Sequence, residues 1–204
     1  MTIPMKWEFF PITFYTTKYH YRKKSNIWIK NQLVPLIEND LLKTEDINKN
    51  PNWNCNVSTS FHLERNIMNA YKHLYGEVIE EFLGVIEVNK KKLPNYKISS
   101  IWYNAYENET YQEKHDHYPE HFSMIHYIEF DSKEHPGTMF FNPCLPSLYF
   151  TQDQIPNRMN QEFFEFNDIE EGDITFFPSF VPHLVKPNKS NKRRITISLN
   201  IQLV

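Results

Sequence analysis

Apolar residues recur every three or four positions in two stretches of the first half of the chain, whereas in the second half they alternate with polar ones. From Asn26 to Leu42, Ile27, Leu33, Val34, Ile37 and Leu41 follow the helical period, with Pro35 as a candidate kink. A stronger helix is predicted from about His62 to Glu87, where Leu63, Ile67, Tyr71, Leu74, Val78, Phe82 and Val85 share one face. Ser58, Thr59 and Ser60 offer N-cap oxygens before it. Lys90, Lys91 and Lys92 follow it, where positive charge suits the helix dipole, and read as a solvated helix end rather than a nucleic-acid patch. From Leu93 the period shortens, predicting strands over Lys97–Tyr106, Phe122–Phe130, Gly137–Asn142, Asp173–Phe177 and Arg193–Gln202. Pro143 to Gln161 has no clear period and is expected to be a surface loop, over a site or as an insertion.

Short strands gathered behind helices predict an α+β fold, with a sandwich or jelly roll in the C-terminal portion and N-terminal supporting helices packed on one face. The length, 204 residues without a linker-like segment, suits one domain: residues 1–96 mainly helical support, residues 97–204 the sheet core that carries the chemistry. A content of 40% hydrophobic and 16% aromatic residues is enough for a sizeable core. The net charge of -3 gives no field that would draw the protein to nucleic acid or an anionic membrane. No window approaches the roughly 20 apolar residues of a membrane span, and the N-terminus lacks a continuous signal core, so a soluble, cytoplasmic protein is expected. Cys55 and Cys144 are too few and too far apart for a disulfide framework or a cysteine zinc site. Four glycines leave no room for a glycine-rich phosphate cradle. A small-molecule or protein substrate fits this profile, and the oligomeric state is left open.

Candidate chemistry begins with His115 and His117, placed two apart after the first long strand, where extended backbone would aim both imidazoles to one side. His183 follows an aromatic strand, Phe176-Phe177-Pro178, whose burial would keep a site dry. Together the three could hold a metal with open positions. Taken separately, each reads more readily as an ordinary loop histidine. Eleven residues after His183, Arg194, Thr196 and Ser198 face one way along a strand while Ile195, Ile197 and Leu199 face the other. An arginine there can grip a carboxylate with two parallel bonds. Arg193 is expected at the rim in a salt bridge. Trp102, Asn104 and Tyr106 alternate onto one face of their strand and are candidates for lining.

The ordered set of His115-Asp116-His117, Ser123-Met124-Ile125-His126-Tyr127-Ile128, Gly172-Asp173-Ile174-Thr175-Phe176-Phe177-Pro178-Ser179, His183 and Arg194 resembles the 2-oxoglutarate/Fe(II) dioxygenase superfamily. The likeness is to its prolyl-hydroxylase-like branch and runs from Ile98 to Leu203. It implies a double-stranded β-helix, the cupin-like jelly roll, and use of Fe(II), 2-oxoglutarate and O2 to hydroxylate a C–H bond, with a peptidyl proline or other protein side chain as one substrate class. It further implies that His115, His117 and His183 hold the iron, that Arg194 binds the distal carboxylate of 2-oxoglutarate, and that Tyr127 donates a hydrogen bond to the same carboxylate. Tyr127 could instead be a core tyrosine. Most members of the superfamily carry His-x-Asp or His-x-Glu. Here the third position is His117, which puts the metal's charge balance in question, and a local bulge could turn Asp116 inward instead. Two rival readings remain: a three-histidine cupin-like dioxygenase that does not use 2-oxoglutarate, and a non-catalytic jelly roll that serves binding or structure.

Overall fold

A computed structural model of the chain describes residues 12–17, 23–43, 54–63, 66–86, 93–143 and 162–204. In chain order they form β1 (Tyr15–Thr17), α1 (Lys23–Lys43), β2 (Ser58–Thr59), a 3-10 helix (Ile67–Tyr75), α2 (Gly76–Ile86), β3 (Tyr96–Tyr106), β4 (Gln112–His115), β5 (Phe122–Glu129), β6 (Thr138–Phe141), β7 (Phe163–Glu165), β8 (Ile174–Pro178), β9 (His183–Val185) and β10 (Arg194–Leu203). Among the described residues the strands make two antiparallel sheets, one in the order β1-β8-β5-β10-β3-β2 and the other β4-β9-β6-β7. This is the predicted α+β double-stranded β-helix, with sequence-distant strands side by side in each sheet.

Alternation on the central strands divides the interior in two. Ile195, Ile197, Leu199 and Ile201 of β10, with Ile101 and Tyr103 of β3 and Met124 and Ile128 of β5, meet Leu33 and Ile37 of α1 and Val78, Ile79, Phe82 and Leu83 of α2 in one apolar cluster. Phe82 stacks on Phe176 of β8, ring centroids 4.5 Å apart. Ile125, Tyr127 and Phe177, which point the other way, meet Phe140 of β6 between the sheets. Side chains fully withdrawn from water by such packing contribute about 1.5–3 kcal/mol each, which is why strands buried on both faces hold the centre.

The helical half differs from expectation in its details. α1 runs through Pro35, and Ile27 faces solvent while Ile29 takes a buried place beside Leu33 and Ile37. The second helix does not begin at His62. Ser58 and Thr59 are not its caps but a short strand paired with β3, and Thr59 Oγ1 donates to Tyr103 O. The cap is Asn66, whose Oδ1 accepts the Met68 N–H at 2.9 Å while its Nδ2 donates to Ile101 O at 2.7 Å. The first nine residues then wind as a 3-10 helix, whose period of three brings Met68, Tyr71 and Leu74 to one face. Val85 is exposed in the last turn. Strands β1 and β2, in the half expected to be mainly helical, extend the larger sheet at its two edges. Lys90–Lys92, Cys144 and, apart from Pro143 itself, the loop expected from Pro143 to Gln161 lie outside the described residues.

Gly172, at φ 89°, takes a left-handed conformation that a side chain would oppose. Its N–H donates to Tyr127 O at 2.6 Å, and the Tyr127 N–H donates to Asp173 O at 3.0 Å, so this turn fixes β8 against the far end of β5.

Candidate metal and 2-oxoglutarate site

β4 and β9 are paired so that His115 lies directly opposite His183. That register, more than the spacing of two between His115 and His117, builds the site, because it brings together residues 68 positions apart in the chain. His117 stands two residues beyond the end of β4, its backbone N–H held by Ser179 O at 2.8 Å. The ring centroids are 4.3 Å apart for His115 and His183, 5.0 Å for His115 and His117, and 5.1 Å for His117 and His183. One ring nitrogen from each lies within 4.8 Å of the other two. Asp116 between them is exposed, and its carboxylate accepts the Tyr118 N–H at 3.1 Å.

Two of these imidazoles have their tautomer set by the backbone. His115 Nδ1 lies 2.7 Å from Glu113 O and His183 Nδ1 lies 3.0 Å from Val181 O. A carbonyl only accepts, so each Nδ1 carries the proton and each Nε2 is left with a lone pair to coordinate. Burial lowers all three pKa values: His183 well below its ordinary 6.5, His117 to about 3 with the nearby His115 adding to the effect, and His115 in the same direction. Neutral imidazoles are the form a metal takes. Phe177 and Phe140 pack against His183, and Trp102 against His117, which keeps water from two sides.

A cavity of about 170 Å³ runs from the histidines to Arg194. Its walls include Trp102, Asn104 and Tyr106 of β3, and Arg194, Thr196 and Ser198 of β10, the faces that strand alternation predicts. Arg194 is 1% exposed. Its guanidinium lies 4.6 Å from the Tyr106 ring centre and 5.6 Å from that of Tyr127, and its Nη2 donates to Thr138 Oγ1 at 3.4 Å. Its Nε and Nη1 have no hydrogen-bond partner among the described residues. A buried cation in that condition costs several kcal/mol unless an anion joins it. Arg193, by contrast, binds Glu38 at 2.6 Å and Glu129 at 3.1 Å at the rim, as expected.

Residues 100–200 match the family described as "Putative 2OG-Fe(II) oxygenase". The chain belongs to the 2-oxoglutarate- and Fe(II)-dependent oxygenases. As a member it is a dioxygenase that uses Fe(II), 2-oxoglutarate and O2. The fold of this oxygenase is similar to that of a prolyl hydroxylase from Trichoplax adhaerens, solved with a hypoxia inducible factor peptide fragment: TM-score 0.56, 15% identity, over 93% of this chain and 83% of that one. It is also similar to a prolyl-4-hydroxylase from Pseudomonas putida (0.55, 9%, 94% and 92%) and to the viral collagen prolyl hydroxylase of Paramecium bursaria Chlorella virus-1 (0.53, 14%, 94% and 96%). No curated protein matches the sequence.

The oxygenase's own residues fit the two cofactors: three neutral imidazoles with converging nitrogens for a divalent metal, and a buried, under-bonded guanidinium at the other end of the cavity for a carboxylate. Tyr127 lies one layer back. It is buried beside Phe130, and its hydroxyl donates to Thr138 Oγ1 at 3.2 Å. Thr138 itself lines the cavity. Sequence reasoning missed it, since a lone threonine at the start of a strand carries no signal until Arg194 and Tyr127 are seen to converge on it.

Proposed function

We propose that this oxygenase is a hydroxylase of a peptidyl side chain, with proline the first candidate, in which His115, His117 and His183 hold Fe(II) and Arg194 binds the distal carboxylate of 2-oxoglutarate. The observation that carries the reading is Arg194, a buried cation with two unpaired nitrogens in the cavity that the three histidines close. A cupin-like dioxygenase that does without 2-oxoglutarate leaves that cation without a counter-ion, and a non-catalytic jelly roll leaves the convergence of the histidines without a use.

When bound, Fe(II), 2-oxoglutarate and O2 supply oxidative decarboxylation to succinate coupled to hydroxylation of a C–H bond. The protein supplies position and dryness. Glu113 O and Val181 O orient His115 and His183. Thr138 Oγ1 accepts from both Arg194 and Tyr127, so its own proton is available to a carboxylate, and in this reading Tyr127 serves the carboxylate end through Thr138. Three imidazoles in place of two and a carboxylate leave the metal with more positive charge, which favours anionic co-ligands such as 2-oxoglutarate. Phe61 and the exposed Asp116 mark the mouth through which substrate enters.

The peptide class rests on the names of the structural relatives, which include a prolyl hydroxylase solved with a peptide and a collagen prolyl hydroxylase. No helix among the described residues is long and apolar enough to cross a membrane. A single domain and a cytoplasmic setting complete the proposal: α1 and α2 pack on the same sheet that carries Arg194, a dependence suited to one folding unit. The test is incubation with Fe(II), 2-oxoglutarate and O2 in the presence of proline-containing peptides or, separately, free amino acids and small acids. Succinate formed in step with a one-oxygen mass gain on a peptide supports the proposal. The same gain confined to a small molecule overturns the peptide assignment.

A further inference from the structure

The third histidine is held differently from the other two. His115 and His183 sit on paired strands with a carbonyl on each Nδ1, whereas the His117 ring has no hydrogen bond among the described residues and its place depends on its backbone. That backbone is clamped by one residue. Ser179 accepts the His117 N–H at 2.8 Å and donates its own N–H to His121 O at 3.1 Å, so it grips both ends of the turn between β4 and β5. Ser179 is also four positions before His183, on the segment that delivers that ligand.

Ser179 is itself fixed from beneath. It is fully buried, and its hydroxyl lies 2.7 Å from Ser123 Oγ on β5. Ser123 Oγ donates to Asn200 Oδ1 at 2.8 Å, and Asn200 Nδ2 donates to Ser100 Oγ at 3.1 Å. The pairing register sets Ser123 and Ser100 on either side of Asn200, across β5, β10 and β3. An amide oxygen only accepts, so the single Ser123 proton goes to Asn200 and the Ser179 hydroxyl must be the donor to Ser123. The chain therefore has one direction, from the ligand turn into the middle of the larger sheet, with each buried polar atom used.

We propose that the Ser179–Ser123–Asn200 chain is the device that sets His117 relative to His183, and so governs how tightly and in what geometry the site binds a metal. The proposal rests on the reading of the three histidines as metal ligands. Ser123, Ser179 and Asn200 are positioning residues: they act through the backbone of His117 and do not touch the metal. Three buried polar side chains, Ser179, Ser123 and Asn200, would otherwise be replaceable by apolar ones at little cost. Partners that orient a metal's ligands typically change its affinity tenfold to a hundredfold when removed.

Cobalt(II) reports both affinity and geometry without turnover. The experiment titrates Co(II) into the full chain and reads the Kd and the visible ligand-field spectrum for wild type, Ser123→Ala, Ser179→Ala, Ser123→Thr and Ser190→Ala. Ser190 is a buried serine whose hydroxyl goes to Glu134 instead and so serves as the control for loss of a hydroxyl. Thermal melts in the absence of metal check that each variant is folded. Expected are a Kd weakened about tenfold or more and an altered spectrum in Ser123→Ala and Ser179→Ala, recovery in Ser123→Thr, and no change in Ser190→Ala. Wild-type Kd and spectrum in both alanine variants overturn the positioning role while leaving the histidine site intact. Failure of the wild type to take up cobalt overturns the metal reading and this proposal with it.

Discussion

The two faces of β10 are equally buried and opposite in kind. Toward the helices it presents Ile195, Ile197, Leu199 and Ile201. On the other face it presents Arg194, Thr196, Ser198 and Asn200, none more than 7% exposed, and the first three line the cavity. The first face is a core that needs only volume and shape. The second withdraws hydroxyls, an amide and a cation from water, and such groups stay buried only where partners meet them. Ser123 and Ser100 meet Asn200, and Asn104 Nδ2 lies 3.4 Å from Ser198 Oγ. Arg194 is the exception, with a neutral hydroxyl and aromatic faces for neighbours but no carboxylate among the described residues. A strand buried on both sides that is polar on one of them marks the wall of a binding site, and its least satisfied member marks where the ligand's charge belongs.

The contrast can be broken from either side. On the helix face, Ile197→Ala leaves a cavity in the middle of the cluster and should lower unfolding stability by about 2–5 kcal/mol, read by denaturant titration. On the cavity face, Arg194→Met should do the reverse. Unfolding stability should hold or rise, because an under-paired buried cation is replaced by an apolar side chain of similar length. The affinity for 2-oxoglutarate, measured by calorimetry on metal-loaded protein, should fall by about 2 kcal/mol or more, the usual cost of removing one partner of a buried charge pair.

A smaller effect involves protons. His126 points to the helix side, 3.1 Å from the Tyr75 hydroxyl, and burial pushes its pKa down to about 3. The unfolded chain, with an ordinary value of 6.5, binds the proton first as pH falls. The contribution of His126 to stability is therefore complete above pH 6.5 and is lost as pH drops toward 3, at about 1.4 kcal/mol per pH unit. Denaturant titrations of metal-free protein between pH 6.5 and 5 should show the slope, reduced by one proton in His126→Leu. The least effect is expected from Thr196→Val, which removes a hydroxyl on the cavity face at constant shape and should change stability by less than about 1 kcal/mol.

Much of this was legible in the sequence because long buried strands announce their parity. The alternation of Arg194, Thr196 and Ser198 against Ile195, Ile197 and Leu199 placed β10, and the Trp102, Asn104 and Tyr106 series placed the strand beside it on the same wall. The two-residue spacing of His115 and His117 and the aromatic run before His183 pointed to the three side chains that the fold brings together. What escaped was short or non-local. β1, β2, β4, β7 and β9 are two to four residues long, too short for a period to show, and yet the pairing of β4 with β9 is what sets His115 against His183. The serines of the positioning chain look like neutral strand residues until register aligns them. The start of the second helix was misjudged because Ser58 and Thr59 have the chemistry of caps but are taken up by a sheet edge, leaving the role to Asn66.

The most direct test is an anaerobic titration of metal-free protein with Fe(II) and then 2-oxoglutarate, following the visible charge-transfer absorption of the iron chelate. One equivalent of Fe(II), a band on adding 2-oxoglutarate, loss of metal and band in His117→Ala, and metal uptake with a weakened band in Arg194→Ala are the expected results. Stoichiometric Fe(II) with no band in the wild type would contradict the pairing of Arg194 with 2-oxoglutarate, and a wild type that binds no Fe(II) would contradict the three-histidine site itself.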